Sequence, residues 1–310
     1  MSALSPPVST TTAHDETRGM LLGLAGVAMF SLTMPFTRLA VLALDVEFVV
    51  LARALGAAAL AGLWLAWRRA PLPPRAALLP LALVMLGVVV GFPLLSSMAL
   101  RHVPAAHGAV LAGLLPLATA LYTALRGDER PSPAFWLMAV LGAGLVVAFA
   151  LSQGGGALHA ADLMMFGAVA AGAVGYAEGG KLARTLGGPE TICWALLLAA
   201  PLLAPLLLAW FVSRGSDALA GAGAGAAAWI GLGYVTVFSM FIGFFFWYRG
   251  LALGGIARVG QVQLLQPFMS LVGAALLLGE ALALHNVLFA LAVLGVVFAG
   301  RRLQVRRRPG

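Results

Sequence analysis

Charge is what this chain has least of. Only 10% of its 310 residues are Asp, Glu, Lys or Arg, against 62% hydrophobic residues, and the mean hydropathy is +0.99. A soluble domain of this size needs far more charge to cover its surface. Cysteine occurs once, as Cys193 in an apolar run, which excludes an internal disulfide and reads as packing. The five histidines, His14, His102, His107, His159 and His285, are scattered without metal-ligand spacing. No H-E-x-x-H, G-x-S-x-G or Walker A sequence occurs, so a zincin, a serine hydrolase and nucleotide-driven transport are not expected. No catalytic residue, metal site or cofactor is therefore anticipated. Met1 to Gly19 is polar and lacks a basic start, which predicts a short disordered tail rather than a cleaved signal peptide.

What the chain does have is apolar runs near twenty residues, repeated from end to end, each long enough for the ~30 Å hydrocarbon core of a bilayer. Charge, Pro and Gly clusters divide these runs into ten helices, near 20–42, 47–67, 76–100, 103–125, 132–151, 162–185, 190–212, 226–250, 256–279 and 283–302. The fold class is all-α integral membrane. A net charge of +8 could point to nucleic acid, but the basic residues sit between apolar helices and at the C-terminus, so membrane orientation explains them and no nucleic-acid partner is expected. Along alternate connections, fifteen Lys and Arg fall on one side (Arg18, Arg68, Arg69, Arg75, Arg126, Arg130, Lys181, Arg184, Arg249, Arg258, Arg301, Arg302, Arg306, Arg307 and Arg308) and two, Arg101 and Arg214, on the other. That bias places both termini in the cytoplasm of a protein of the plasma (cell inner) membrane.

The chain is also a duplication. Ala109–Glu129, AVLAGLLPLATALYTALRGDE, matches Gly260–Glu280, GQVQLLQPFMSLVGAALLLGE, with Pro116 on Pro267 and Glu129 on Glu280. The match extends outward: LGLAGVAMFS (22–31) falls on MFGAVAAGAV (165–174), Arg38 on Lys181, Glu47 on Glu190, and MAVLGAG (138–144) on LAVLGVV (291–297). Helices 1–5 thus repeat as helices 6–10. Five is odd, so the second copy enters the membrane from the opposite side, and the copies form two inverted five-helix repeats, a design typical of secondary transporters with a site near the midplane. The expected divisions are 1–19 N-terminal tail, 20–151 first repeat, 152–161 connecting loop, 162–303 second repeat and 304–310 basic tail.

The paired prolines, the Asp-Glu and Gly-Glu that close helices 4 and 9, the Gly-rich helices 5 and 10, MPFTRLAV (34–41) and LAR (51–53) together resemble the drug/metabolite transporter superfamily, in its EamA-type branch, over residues 20–303. The resemblance implies ten helices, a central cavity between the halves, and movement of small metabolites such as amino acids, with export favoured. Members often carry a Glu before the two prolines. Here Leu115 and Gln266 stand there, so proton coupling through that position is not expected.

Ionisable groups within spans cost roughly 2.5–3.5 kcal/mol each on insertion scales, which makes each a candidate site. Glu178, on a small-residue stripe with Gly167, Ala171 and Gly175, either binds a substrate amine or a coupling proton or pairs with Lys181 or Arg184. Arg53, two turns into helix 2, either takes a substrate carboxylate or snorkels outward or pairs with Glu47. Gln261, Gln263 and Gln266 approach Pro267, where a missing backbone donor frees carbonyls beside a cavity; the alternative is interhelical bonding worth about 0.6 kcal/mol each. If substrate makes polar contact with only one of the two proline helices, it is expected to be helix 9. His107 reads as an interface residue with a lesser role as ligand. Phe244–Tyr248 reads mostly as an interfacial aromatic belt, with Trp247, Tyr176 and Phe92 as candidate pathway residues. The repeat mates Arg38/Glu47 and Lys181/Glu190 are expected to act as alternating latches at opposite mouths. The function expected is a secondary transporter moving a small molecule by alternating access through membrane lipid, coupled to a proton, to a counter-solute or to neither. The alternative is a membrane enzyme acting on lipid-linked substrates, which would need an Asp/Glu/His cluster not seen among the spans.

Overall fold

In the computed structural model, residues 13–126, 133–153, 158–214, 225–254 and 259–302 are described. Within hydrocarbon every backbone N–H and C=O must be satisfied by the protein itself, and a helix does this within one segment. The described residues accordingly form helices and turns without strands. Ten apolar helices follow in order: α1 Thr17–Val41, α2 Val46–Arg68, α3 Arg75–Leu100, α4 Ala105–Leu125, α5 Pro133–Gln153, α6 Ala160–Leu182, α7 Gly188–Arg214, α8 Ala226–Gly254, α9 Val262–Leu278 and α10 Leu284–Arg302.

The sequence also dictates where helices start and stop. Asp45 caps α2, its Oδ1 accepting the Glu47 N–H at 3.1 Å, while Arg69 ends that helix in the left-handed region at φ 50°. Asp162 receives the His159 N–H at 2.9 Å at the start of α6. Gly279, at φ 67°, ends α9, a conformation that suits a residue without Cβ.

Three helices are interrupted beside a proline, although α7 runs through Pro201 and Pro205 unbroken. Pro35 has no N–H for the Ser31 carbonyl, α1 breaks at Leu32, and Ser270 on α9 supplies the missing proton, Oγ to Ser31 O at 2.6 Å. In α4 the helix halts after Ala112 and restarts at Leu115, just before Pro116. Its repeat mate α9 begins as a 3₁₀ turn over Gly260–Leu265 and becomes α-helical at Gln266, just before Pro267. The third pair of mates shows a different break: α3 and α8 each widen into a π-helical segment, Met85–Gly91 and Val235–Ile242. Such segments concentrate at functional sites.

Packing then interlaces the two repeats. Helix α1 lies mainly against α8 and α9 of the second repeat, and α6 mainly against α3 and α4 of the first; α2 pairs with α7, α5 with α10 and α4 with α9. Each repeat therefore lends its first helix to the other. The α3–α6 crossing is backbone to backbone: a Cβ on Gly87 would lie 2.6 Å from both the Gly175 N and the Ala171 O. The mated α1–α8 crossing is equally close, a Cβ on Gly250 falling 2.8 Å from the Gly23 N. Small residues permit this contact, which holds helices together where lipid supplies no hydrophobic drive. The small stripe of α6 thus faces α3, with Gly167 over Leu95, Ala171 over Gly91 and Gly175 over Val88. The aromatic run is not an interfacial belt: Phe244, Trp247 and Tyr248 are buried, and the Tyr248 hydroxyl donates to the Gly175 carbonyl at 3.0 Å, because α8 turns this face onto α1 and α6.

Gly87→Ala should lower stability by about 1–3 kcal/mol, the usual cost of overpacking, read as thermal unfolding in detergent. Gly233→Ala, whose Cβ would meet nothing within 4 Å, should match or exceed the wild type by up to about 1 kcal/mol of helix propensity.

Candidate functional site

The helix interruptions converge. A central cavity is lined by Phe30, Thr33 and Met34 of α1, Arg53 of α2, Val88, Phe92 and Pro93 of α3, Tyr176 of α6, Ser239, Met240 and Phe244 of α8, and Gln266 of α9. Both π-helical segments, the α1 break and the α9 restart contribute to its wall. It is narrow, with room for only a few waters.

Arg53 is the main charged group of this cavity. Its side chain is buried at 2% exposure, its Nε and Nη1 have no hydrogen-bond partner among the described residues, and Nη2 reaches only the Ser239 hydroxyl at 3.5 Å. Ser239 is already engaged by the Thr33 hydroxyl at 2.8 Å. Arg53 therefore neither snorkels nor pairs with Glu47: α7 and α8 pack against α2, and the guanidinium lines the cavity. In the same lining, the Oε1 of Gln266 is also buried and unpartnered among the described residues. Gln263 is buried at the edge of a small adjoining cleft with Met34, Ala109, Ala112, Pro267 and Ser270, and its Nε2 lacks a partner among the described residues. Gln261 lies in the same 3₁₀ turn, with its side chain outside the described residues. Of the two proline helices, α9 supplies a polar group, Gln266, to the central cavity, while the matching Leu115 of α4 is buried in the core.

The apolar wall is an aromatic cluster. Phe30 packs on Phe244 with centroids 4.9 Å apart, and Tyr176 lies 5.5 Å from Trp247. Tyr176 and Phe92 face the cavity, whereas Trp247 stands behind Phe30 and Tyr176. Thr33 and Ser239 gave no signal in the sequence, since single hydroxyl residues are common in packed membrane helices.

The other ionisable candidates form closures near the two ends of α4. At its N-terminal end, Glu280 accepts the N–H groups of Ala105 and Ala106, both at 2.8 Å, and lies 3.4 Å from Arg38 Nε. Arg38 also donates to the carbonyls of Leu100, at 2.9 Å, and Val103. The acid that ends α9 thus caps α4, where orphan N–H groups and the helix dipole favour a carboxylate. This corrects the expected Arg38/Glu47 latch. Glu47 instead lies 3.7 Å from Arg214, which binds Asp45 at 2.5 Å, because the α7 terminus comes down over the start of α2.

Close to the same end, His107 is no interface residue. Its Nε2 sits 2.6 Å from Asp162 Oδ1, both groups buried, and its ring packs on Phe149. Asp162 escaped notice because it reads as a loop boundary. At the far end of α4, the Tyr122 hydroxyl donates to Glu178 Oε1 at 2.8 Å, and Arg126 approaches the same oxygen at 3.5 Å. Glu178 is therefore held by α4 rather than through the expected i+3 pair with Lys181, and it lies away from the Arg53 cavity. Lys181 ends α6, and Glu190 opens α7 with its carboxylate over Gly187.

Glu280→Ala removes two charge-assisted bonds and should cost about 3–6 kcal/mol, since bonds to charged groups are worth about 1.5–3 kcal/mol each. Glu47→Ala, with its side chain 65% exposed, should change stability by no more than about 0.5 kcal/mol. Chemical unfolding of both variants in the same detergent checks the contrast.

Comparison with known proteins agrees with this architecture. The model of the EamA-like transporter family matches the chain twice, over residues 17–150 and 159–300. A protein of Bacillus subtilis (strain 168) named "Uncharacterized transporter YdeK" is 47% identical over 289 residues, covering 93% of this chain and 99% of that protein. A solved crystal structure at 18% identity superposes with a TM-score of 0.62 over 93% of this chain and 99% of its own, a likeness of fold. A duplicated, ten-helix membrane chain with both copies matched belongs to the EamA-like transporter family.

Proposed function

We propose that this membrane transporter moves a small metabolite, an amino acid or a related compound, by alternating access through the central cavity, and that its working direction is export. The observation that carries the reading is that both repeats wall one cavity, with a polar closure near each end of α4: Glu280 with Arg38 at the start, Glu178 with Tyr122 and Arg126 at the finish. Inverted repeats that exchange conformations would open one closure as the other forms. Direction and the amino-acid class rest on the family resemblance. Arg38, with Glu280, is proposed as a gate residue at one end, and Lys181 and Glu190, beside the α6–α7 turn, at the other. The bias of fifteen basic residues against two supports cytoplasmic termini in the plasma membrane. Gln263, Gln261 and His107 are proposed as supports of the cavity wall and its rim.

In proteoliposomes, the full chain should show counterflow of labelled amino acids that empty vesicles lack. In a Cys193→Ala background, Ser239→Cys should lose most of its flux on treatment with a permeant thiol reagent, while Gly233→Cys should not. Absence of protein-dependent flux across a broad solute panel would count against transport, and equal inhibition of both variants would count against this cavity as the path.

A further inference from the structure

We infer that Arg53 is the receptor for one carboxylate on the transported molecule, and that the cavity selects a monoanion or a zwitterion with an apolar body. This deepens, and rests on, the transporter reading above.

The argument begins with charge. A guanidinium inside a membrane protein ordinarily snorkels to the interface or pairs with an acid or carbonyls. Arg53 is 2% exposed and has two nitrogens without a partner among the described residues. Its weak third contact is shared with a hydroxyl that Thr33 already holds. Among the described residues, the other acids of the spans and their ends lie elsewhere: Asp45 and Glu47 beside Arg214, Asp162 with His107, Glu178 with Tyr122 and Arg126, Glu190 over Gly187, and Glu280 with Arg38. No acid among the described residues lines the cavity. A buried cation left this way is costly unless an anion joins it.

Charge balance then selects the ligand. The carboxylate of a monoanion makes the loaded cavity neutral, and its two oxygens match the guanidinium fork. A zwitterion pairs its carboxylate the same way and carries its own positive charge, which needs a separate acceptor. A phosphate monoester would leave one negative charge in low dielectric, and an amine would add a second positive one. Beyond the head group, Phe30, Phe92, Tyr176 and Phe244 form an apolar wall, and the free Gln266 Oε1 offers an acceptor for an ammonium that would also lie against ring faces.

This assignment makes Arg53 a residue kept for binding at the expense of stability. Arg53→Met should keep or raise the melting temperature of the ligand-free full chain in detergent, because it removes an unpaired buried charge. The probes share one ring and differ in head group: phenylacetate, phenylalanine, phenethylamine and phenyl phosphate. Phenylacetate and phenylalanine, which bind only as the cavity widens beyond its few-water space, should stabilise the wild type and inhibit counterflow. Phenethylamine and phenyl phosphate should do neither. Arg53→Met should lose the response to the carboxylates, and Arg53→Lys should bind them at least about tenfold more weakly, a difference of 1.4 kcal/mol. The inference is overturned if Arg53→Met melts well below the wild type without ligand, if the amine binds wild type and Arg53→Met alike, or if a chain that moves some other solute ignores both carboxylates. Carboxylate binding through Arg53 without any solute movement would instead overturn the transporter reading and leave the site standing.

Discussion

A polypeptide in hydrocarbon has to satisfy its own backbone, and this constraint organises the whole molecule. It makes the described spans helical, and it restricts irregular backbone within them to places that other protein groups can reach. Pro35 frees the Ser31 carbonyl, and Ser270 on another helix answers it. Helices α4 and α9 restart just before Pro116 and Pro267, and α3 and α8 widen into π segments. The α1 break, the two π segments and the α9 restart gather around one cavity, while the α4 restart lies in the packed core.

The same economy governs the charges. Glu280 closes α9 and caps α4, so one carboxylate satisfies a helix terminus, an ion pair and a contact between the repeats. Glu178 ties α6 to the far end of α4, and Asp162 ties the start of α6 to His107. Each buried acid among the described residues is matched. Arg53 alone among the cavity-lining residues carries a charge without an opposite one, and local stability is worst served where a ligand would be best served.

Interlacing of the repeats gives these ties their reach. Because α1 sits with α8 and α9, and α6 with α3 and α4, a residue on one repeat commonly finds its partner on the other. Arg38 with Glu280, Thr33 with Ser239, and Tyr122 with Glu178 all join the two sequence halves. A change at one closure therefore bears on both halves at once.

Much of the fold was legible in the chain itself. Apolar runs near bilayer length fix the helices, the Pro116–Pro267 match reveals the duplication, and an odd helix count per copy inverts it. The interest of α9 was legible too, since Gln266 interrupts an apolar face just before a proline. Partners were another matter. Arg38 and Glu47 look like neighbours in sequence, as do Glu178 and Lys181, yet the structure joins Arg38 to Glu280 and Glu178 to Tyr122 and Arg126. Local spacing encodes which face of one helix a side chain occupies; it carries no record of which distant helix packs there. That choice came from the close α1–α8 and α3–α6 crossings, whose glycines bring backbones together across some 80 to 240 residues of chain, and it is this tertiary arrangement that encloses Arg53 and makes it a candidate binding group.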